Sequence, residues 1–399
     1  MSGDYDVVVA GGGPVGATLA ALLLQQGRIE PGRVALLEPA VPAPVAAGAE
    51  PELRVSAISR ASERVLRAAG AWQRLDAART CAYERMRIWH ESSSPWGEGV
   101  LEFRAAELGE PDLGHIIENR QLQAAAAAAF RERGGVHLPA TLEGFEVHAE
   151  GVSLRAGGAS LGARLLVGAD GASSGVRTGL GLEPRLRPYG QRAIVATVAT
   201  AEAHTATAWQ RFLGTGPLAL LPLFDGRCSI VWSARDPLAG ELMALDDATF
   251  ARRFTAASGA VLGEVRLASR RLAFPLRSLA LREYVRPRCA LVGDAAHVVH
   301  PLAGQGMNLG LLDAAALCDA VAAAVAERED PGALRILRRY EQARRTHNLA
   351  TDAAMSLFNA AFSQPEGVRG WLAGLALGTV NRSGLARRFF MEQALMPVR

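Results

Sequence analysis

The sequence predicts an α/β fold: a parallel sheet flanked by helices, interrupted by an antiparallel β-sheet domain and followed by a C-terminal helical tail. Three observations predict it. Short β-branched strands end in glycine-rich loops at Gly11, Gly168 and Gly293. The first and last of these loops run straight into apolar helical patterns. Between the second and third lie several short strand-like runs separated by turn signals, the pattern of an antiparallel sheet. At 399 residues the chain is long enough for two or three domains of about 150 residues each.

The first element, Tyr5–Ala10, is a β-branched run and reads as a strand. Gly11, Gly13 and Gly16 follow as G-x-G-x-x-G with Pro14 and Val15 inside it, and Ala17–Gln26 carries a helical pattern. The first glycine makes the tight turn, the second lets a pyrophosphate approach, and the third lets helix pack on strand. Val34–Leu37 is the second strand and Glu38 ends it. A carboxylate about 20 residues past the glycines accepts hydrogen bonds from ribose hydroxyls and repels a 2′-phosphate, which favours FAD or NAD over NADP. The competing reading of Glu38 is a solvated strand end. Pro39–Pro51 then leaves the sheet as a loop, Arg54 follows, and Ser62–Ala69 has helical spacing that stops at Gly70.

Leu165–Val167 is a further strand, running into Gly168-Ala169-Asp170-Gly171, with Ser174 and Arg177 beyond. Asp-Gly alone is a common turn, so its weight is cumulative. Cys289–Val292 is the last strand of this kind, closed by Gly293 and Asp294. A loop with Pro301, Gly304 and Gly306 follows, and Met307 opens a helical pattern. A glycine-lined helix start offers bare N–H groups and partial positive charge, suiting a flat ligand that becomes anionic, as reduced flavin does. Three anion-friendly strand ends together call for an extended dinucleotide.

The inserted region contains Arg192–Thr200, Trp209–Leu213, Leu218–Leu223 and Cys228–Trp232, with turns at Gly214–Pro217 and Asp225-Gly226. It reads as an apolar lid and substrate wall, and no residue in it stands out as a general base. The competing reading is a sheet that only supports the rest.

Composition sets limits. All 43 basic residues are arginine, so Schiff-base and lysine-relay chemistry is excluded. Net charge is +3 and no nucleic-acid partner is expected. Cys81, Cys228, Cys289 and Cys318 form no CxxC pair and read as free buried thiols. Ser2–Asp6 is polar and no apolar run nears 18 residues, so the chain is expected in the cytoplasm or peripheral on the inner face of a membrane. His297, His300 and Asp294 could be read as metal ligands, but the loop already has a cofactor explanation, and no metal is assigned. Arg277, Arg282, Arg286 and Arg288 read as a solvated basic face. In the tail, Trp371–Leu377 precedes Arg382, Arg387, Arg388, Phe389 and Phe390. That pattern suits a membrane interface or a partner protein, and core packing is the alternative.

The set GGGPVG, GADGASSGVR and VGDAAHVVHPLAGQGMNLG resembles the single-component, class A flavin hydroxylases, and within them the subgroup that hydroxylates ubiquinone precursors. Leu53–Ala61, Leu113–Asn119, Gly216–Leu223, Ser229–Trp232 and Phe274–Leu276 extend the likeness over about residues 5–345. In phrasing the chain is more similar to the ring C5 and C6 hydroxylases than to the C1 enzyme. The resemblance implies a Rossmann-like FAD-binding domain in a glutathione-reductase-like fold, comprising 1–181 and 286–365. It also implies a β-sheet substrate domain at 182–285 and a helical tail at 366–399. It gives Gly11, Gly13 and Gly16 the pyrophosphate and Glu38 the adenosine ribose. Arg54 and Asn119 go beside the flavin, although Asn119 replaces the Arg or Gln usual there. Asp170 belongs to the motif tied to FAD and NAD(P)H, and Asp294 to the ribityl or pyrophosphate region. Pro301, Gly304, Gly306, Met307 and Asn308 lie along the isoalloxazine.

The implied chemistry is attack of an electron-rich ring on a hydroperoxide at flavin C4a, with O2 and NAD(P)H, or another electron donor, as co-substrates. The implied substrate is a polyprenylated phenol or quinol, with membrane contact or a ubiquinone-biosynthesis complex around it. Two alternatives stay open: hydroxylation of a soluble aromatic, and a non-catalytic flavoprotein scaffold of a lipid-modifying complex. Flavin halogenases, a similar family, depend on a lysine that this chain lacks.

Overall fold

The computed structural model describes residues 4–362 apart from 41–42, 47, 98–99 and 300–303, with no side chains for 352 and 354–362. The tail proposed at 366–399 lies outside the described residues.

The chain opens with β1 (Tyr5–Ala10), α1 (Pro14–Gln25) and β2 (Val34–Leu37). It continues through β3 (Val55–Ser59), α2 (Arg60–Ala68), β4 (Cys81–Tyr83), β5 (Arg85–His90), β6 (Leu101–Arg104) and β7 (Gly114–Glu118). Then come α3 (Asn119–Glu132), β8 (Val136–Leu138), the meander β9 (Leu142–Val147), β10 (Val152–Ala156) and β11 (Ala159–Gly168), and α4 (Gly175–Gly179). The inserted region contributes β12 (Arg185–Thr200), β13 (Thr207–Leu213), β14 (Gly216–Pro222), β15 (Cys228–Arg235), α5 (Asp236–Ala244), α6 (Asp247–Ala257), β16 (Val265–Leu267) and β17 (Leu272–Ala280). The last elements are β18 (Val285–Arg286), β19 (Cys289–Leu291), β20 (His297–Val298), α7 (Gln305–Ala326) and α8 (Leu334–Phe362).

The first sheet runs β8-β2-β1-β11-β19-β18, with β10 and β9 beyond β11. β1 pairs in parallel with both β2 and β11, and β11 in parallel with β19. The glycine loops at Gly11, Gly168 and Gly293 therefore leave the same edge of neighbouring strands. Buried on both faces, β1 reads as a continuous apolar run instead of alternating. α1 packs against α3 and α7 above it.

The second sheet runs β20-β17-β12-β15-β14-β13-β5-β6, with β16 on β12. It is antiparallel except where β13 lies parallel to β5. β5 and β6 come from 85–104, so the sheet reaches back beyond the 182–285 range expected for it. A contact of two strands separated by more than a hundred residues leaves no periodic trace in either. Period-2 alternation gives the sheet two faces. One carries Trp209, Leu218, Leu220, Ile230 and Trp232, buried against Phe250 and Phe254 of α6. The other looks toward a three-stranded sheet of order β3-β7-β4.

α7 is long and apolar enough to cross a membrane by composition, yet 61% of that window is buried within the protein, as in a core helix. The four cysteines are free, with Cys228, Cys289 and Cys318 buried and Cys81 half-buried. Arg288 departs from the solvated face expected for it. It is buried, donates to the Ala149 carbonyl at 2.7 Å and pairs with Asp330.

Candidate active site

The first glycine loop is shaped by close approaches. Gly11 has φ +99°, and a Cβ there would sit 2.5 Å from the Ala169 carbonyl oxygen. A Cβ on Gly16 would lie 2.0 Å from the oxygen of Gly11. Beside Gly13, by contrast, the space is open. Pro14 occupies the first turn of α1, where a missing N–H is harmless, and no side chain caps that end. The N–H groups of this turn are thus free to face a ligand. Glu38 stands where the sequence places it: its Oε2 accepts from the Gly12 N–H at 2.8 Å. Gln123 of α3, unremarked in sequence, donates to the Gly12 carbonyl at 2.8 Å and holds the loop from the far side.

The second and third loops meet this one. Asp170 Oδ2 accepts from the Val176 N–H at 3.1 Å, while its Oδ1 is buried without a partner. Arg177 donates to Ala172 O at 2.8 Å and to Ala295 O at 3.0 Å, tying the Gly168 loop to the Gly293 loop. Gly293 packs on Val15, and a Cβ on Gly310 would come within 2.7 Å of that valine. Asp294 is exposed just past the end of β19; nearby protein shifts its carboxyl upward, against the charges of His297 and Arg54. Arg54 itself lies over the Phe274 ring at 5.1 Å.

At the start of α7, Gly304 is left-handed (φ +64°) and packs against Ala57, and the space beside Gly306 is open. No side chain caps this helix either. Met307 is half-buried against the core. Asn308 commits its carboxamide to the protein itself. It accepts from the Ser59 N–H at 2.9 Å and donates to Ala57 O at 2.8 Å, which fastens α7 to β3. Asn119 begins α3 and accepts from the Ser56 hydroxyl at 2.7 Å, beside Arg54, whose carbonyl takes its N–H. Pro301 and His300 lie outside the described residues.

A buried polar cluster missed in sequence underlies the Gly293 loop. Asp313, fully buried, accepts from Gly293 N at 3.1 Å and from Arg344 Nε at 2.9 Å, and meets His297 Nε2 at 2.5 Å. Asn348 adds a bond of 3.0 Å. Burial pushes the Asp313 carboxyl up, but His297, Arg344 and Asn348 outweigh it and hold it well below the usual range. His297 is thus engaged with Asp313. A carboxylate on the apolar, buried face of α7 was the available signal, whereas Asp319 is the helix's exposed acid. Elsewhere, ligand atoms of Glu63, Asp112 and His115 gather within 4.8 Å, but Arg60 already pairs with both carboxylates.

Between the second sheet and the small sheet of order β3-β7-β4 lies a cavity of about 150 Å³. Val55, Ser56, Ala57 and Gly304 form one wall, and Ala208, Gln210, Ala219 and Val231 part of the other.

These features fit an extended dinucleotide carrying a flat ring. Three loops converge at one sheet edge, with open space at Gly13 and Gly306, a strand-end carboxylate, an unpartnered oxygen on Asp170 and two uncapped helix starts.

The comparisons agree. The family model described as FAD binding domain matches residues 4–353. The chain is 36% identical to the 3-demethoxyubiquinol 3-hydroxylase of Escherichia coli K12, covering 98% of each. It is 37% identical to the ubiquinone hydroxylase UbiL of Rhodospirillum rubrum, over 98% of this chain and 89% of the relative. Among solved structures, PqsL of P. aeruginosa in complex with 2-aminobenzoylacetate superimposes with TM-score 0.75 at 26% identity, over 93% of this chain and 99% of that one.

Proposed function

We infer, from the premise that this chain belongs to the FAD binding domain family, that it hydroxylates the aromatic ring of a polyprenyl phenol or quinol in ubiquinone biosynthesis. The chain is an FAD-dependent monooxygenase, and its near full-length relatives are named ubiquinone hydroxylases. The observation that carries the reading is the ring-sized apolar cavity opening on Gly304, at the head of the glycine-lined helix α7.

In this reading Gly11, Gly13 and Gly16, with Pro14 and Val15 at the start of α1, hold the pyrophosphate, and Glu38 the adenosine ribose. Asp170 and Asp294 serve the middle of the cofactor. Arg54, Asn119, Pro301, Gly304, Gly306, Met307 and Asn308 surround the flavin. When bound and reduced, FAD activates O2 for transfer of one oxygen atom to the ring, a chemistry that belongs to the cofactor. The chain supplies position and environment. The uncapped start of α7 favours negative charge on a ring seated there, by about 0.3–1 kcal/mol or more. Asn308 fixes that helix end to β3, so the wall at Ala57 and Gly304 stays in register. Val55, Ala208, Ala219 and Val231 keep water from the reacting ring. NAD(P)H has no second glycine-rich nucleotide motif, so it docks transiently on the shared surface. A polyprenyl substrate places the chain at the inner membrane face.

Complementation tests this. In a strain lacking its ring hydroxylases, expression of this chain should yield a quinone intermediate one oxygen heavier than the accumulated precursor, read by lipid mass spectrometry. An unchanged precursor alongside an FAD-loaded protein would instead favour a soluble aromatic, the kind of compound bound in the PqsL complex.

A further inference from the structure

The cavity floor holds one feature that packing does not explain. Gln210 of β13 is 5% exposed, yet its carboxamide makes no hydrogen bond among the described residues. It borders the cavity between small apolar neighbours: Ala219 opposite it on β14, and Val231 opposite Ala219 on β15. Buried polar groups are nearly always paired, and one left open toward a cavity marks where a ligand supplies the partner. The facing wall offers less. Ser56 already gives its hydroxyl to Asn119, and Asn308 is committed to β3. The hydroxyls of Ser233 and Tyr83 also border the cavity, but Gln210 presents a donor and an acceptor on separate atoms.

Volume narrows the ligand. A cavity of about 150 Å³ is the size that takes one benzene ring. The aromatic head of a substrate fills it, and a prenyl tail must leave through the open side.

We propose that Gln210 is the positioning residue that recognises the ring hydroxyl of the substrate, and so fixes which ring carbon faces the flavin. This rests on the hydroxylase reading above. Gln210 binds substrate oxygen and takes no part in proton or oxygen transfer. A ring lacking the hydroxyl leaves the amide unpaired in a closed site, which a polar pocket penalises heavily.

The test is a cycle between residue and hydroxyl on the FAD-loaded protein. Dissociation constants of 2-prenylphenol and of prenylbenzene are read from perturbation of the flavin spectrum, for wild type and for the near-isosteric Gln210→Met. The ratio of the two constants should favour the phenol in wild type and fall by about tenfold or more in the variant. A purely structural role would weaken both ligands alike and leave the ratio unmoved, which overturns the proposal. A wild type that does not discriminate overturns it without any variant. If neither lipid-like ligand binds but 4-hydroxybenzoate does, the polyprenyl reading fails separately. The same cycle on 4-hydroxybenzoate and benzoate then decides Gln210.

Discussion

The imidazole of His297 meets the carboxylate of Asp313 at 2.5 Å, in a place where the acid has no solvent exposure. The same carboxylate takes the Gly293 N–H, so one buried charge organises the loop that carries Asp294. Asp313→Asn leaves the buried guanidinium of Arg344 without its counter-charge, and should cost about 3–5 kcal/mol. The pH dependence has a definite sign. A carboxyl held below its unfolded value contributes stability that is present above about pH 4 and lost as pH falls further. Thermal unfolding should therefore show a full gap between wild type and variant at pH 6–8 and a shrinking one below about pH 4.

Gly13 and Gly16 separate folding from ligand binding. Gly16→Ala puts a Cβ 2.0 Å from a backbone oxygen and should destabilise the protein whether or not FAD is present. Gly13 has an ordinary φ of −59° and open space around it. Gly13→Ala should leave the melting temperature of the apoprotein within a degree or two. Its FAD affinity, followed by fluorescence titration, should drop about tenfold or more because the cofactor needs that space.

Asp294 separates cofactor binding from folding. Its side chain is exposed to solvent, so its charge adds little to the stability of the fold. Asp294→Asn should leave the thermal stability of the apoprotein near pH 7 almost unchanged while lowering FAD affinity. Calorimetry on apoprotein and holoprotein checks both halves.

Asn308 joins two elements that are 249 residues apart in sequence, Ser59 and the head of α7. Asn308→Ala strands a buried N–H and a buried carbonyl, a loss of about 1–3 kcal/mol per group. Denaturant unfolding should register it, and flavin retention should fall with it.

Much of this site was legible from the sequence because its parts are local. A turn needing φ > 0 shows as Gly11, a strand end as Glu38, and a helix start as Gly304 and Gly306. What escaped is the side-chain traffic between distant segments. Gln123 reaching Gly12, Arg177 reaching Ala295, and Asp313 gathering His297, Arg344 and Asn348 have no spacing rule, because the fold alone makes them neighbours. The parallel pairing of β5 with β13 escaped for the same reason. Asn308 was found by its motif, and its work as a clamp became visible only with Ala57 and Ser59 beside it.

The most direct measurement is isotope incorporation under ¹⁸O2 by the purified, FAD-loaded protein with NAD(P)H and a prenylated phenol. The account predicts a product carrying one ¹⁸O on the aromatic ring, formed in proportion to the NAD(P)H consumed. Oxidation of NAD(P)H to give only H₂O₂, with the phenol recovered unlabelled and unchanged, would contradict it.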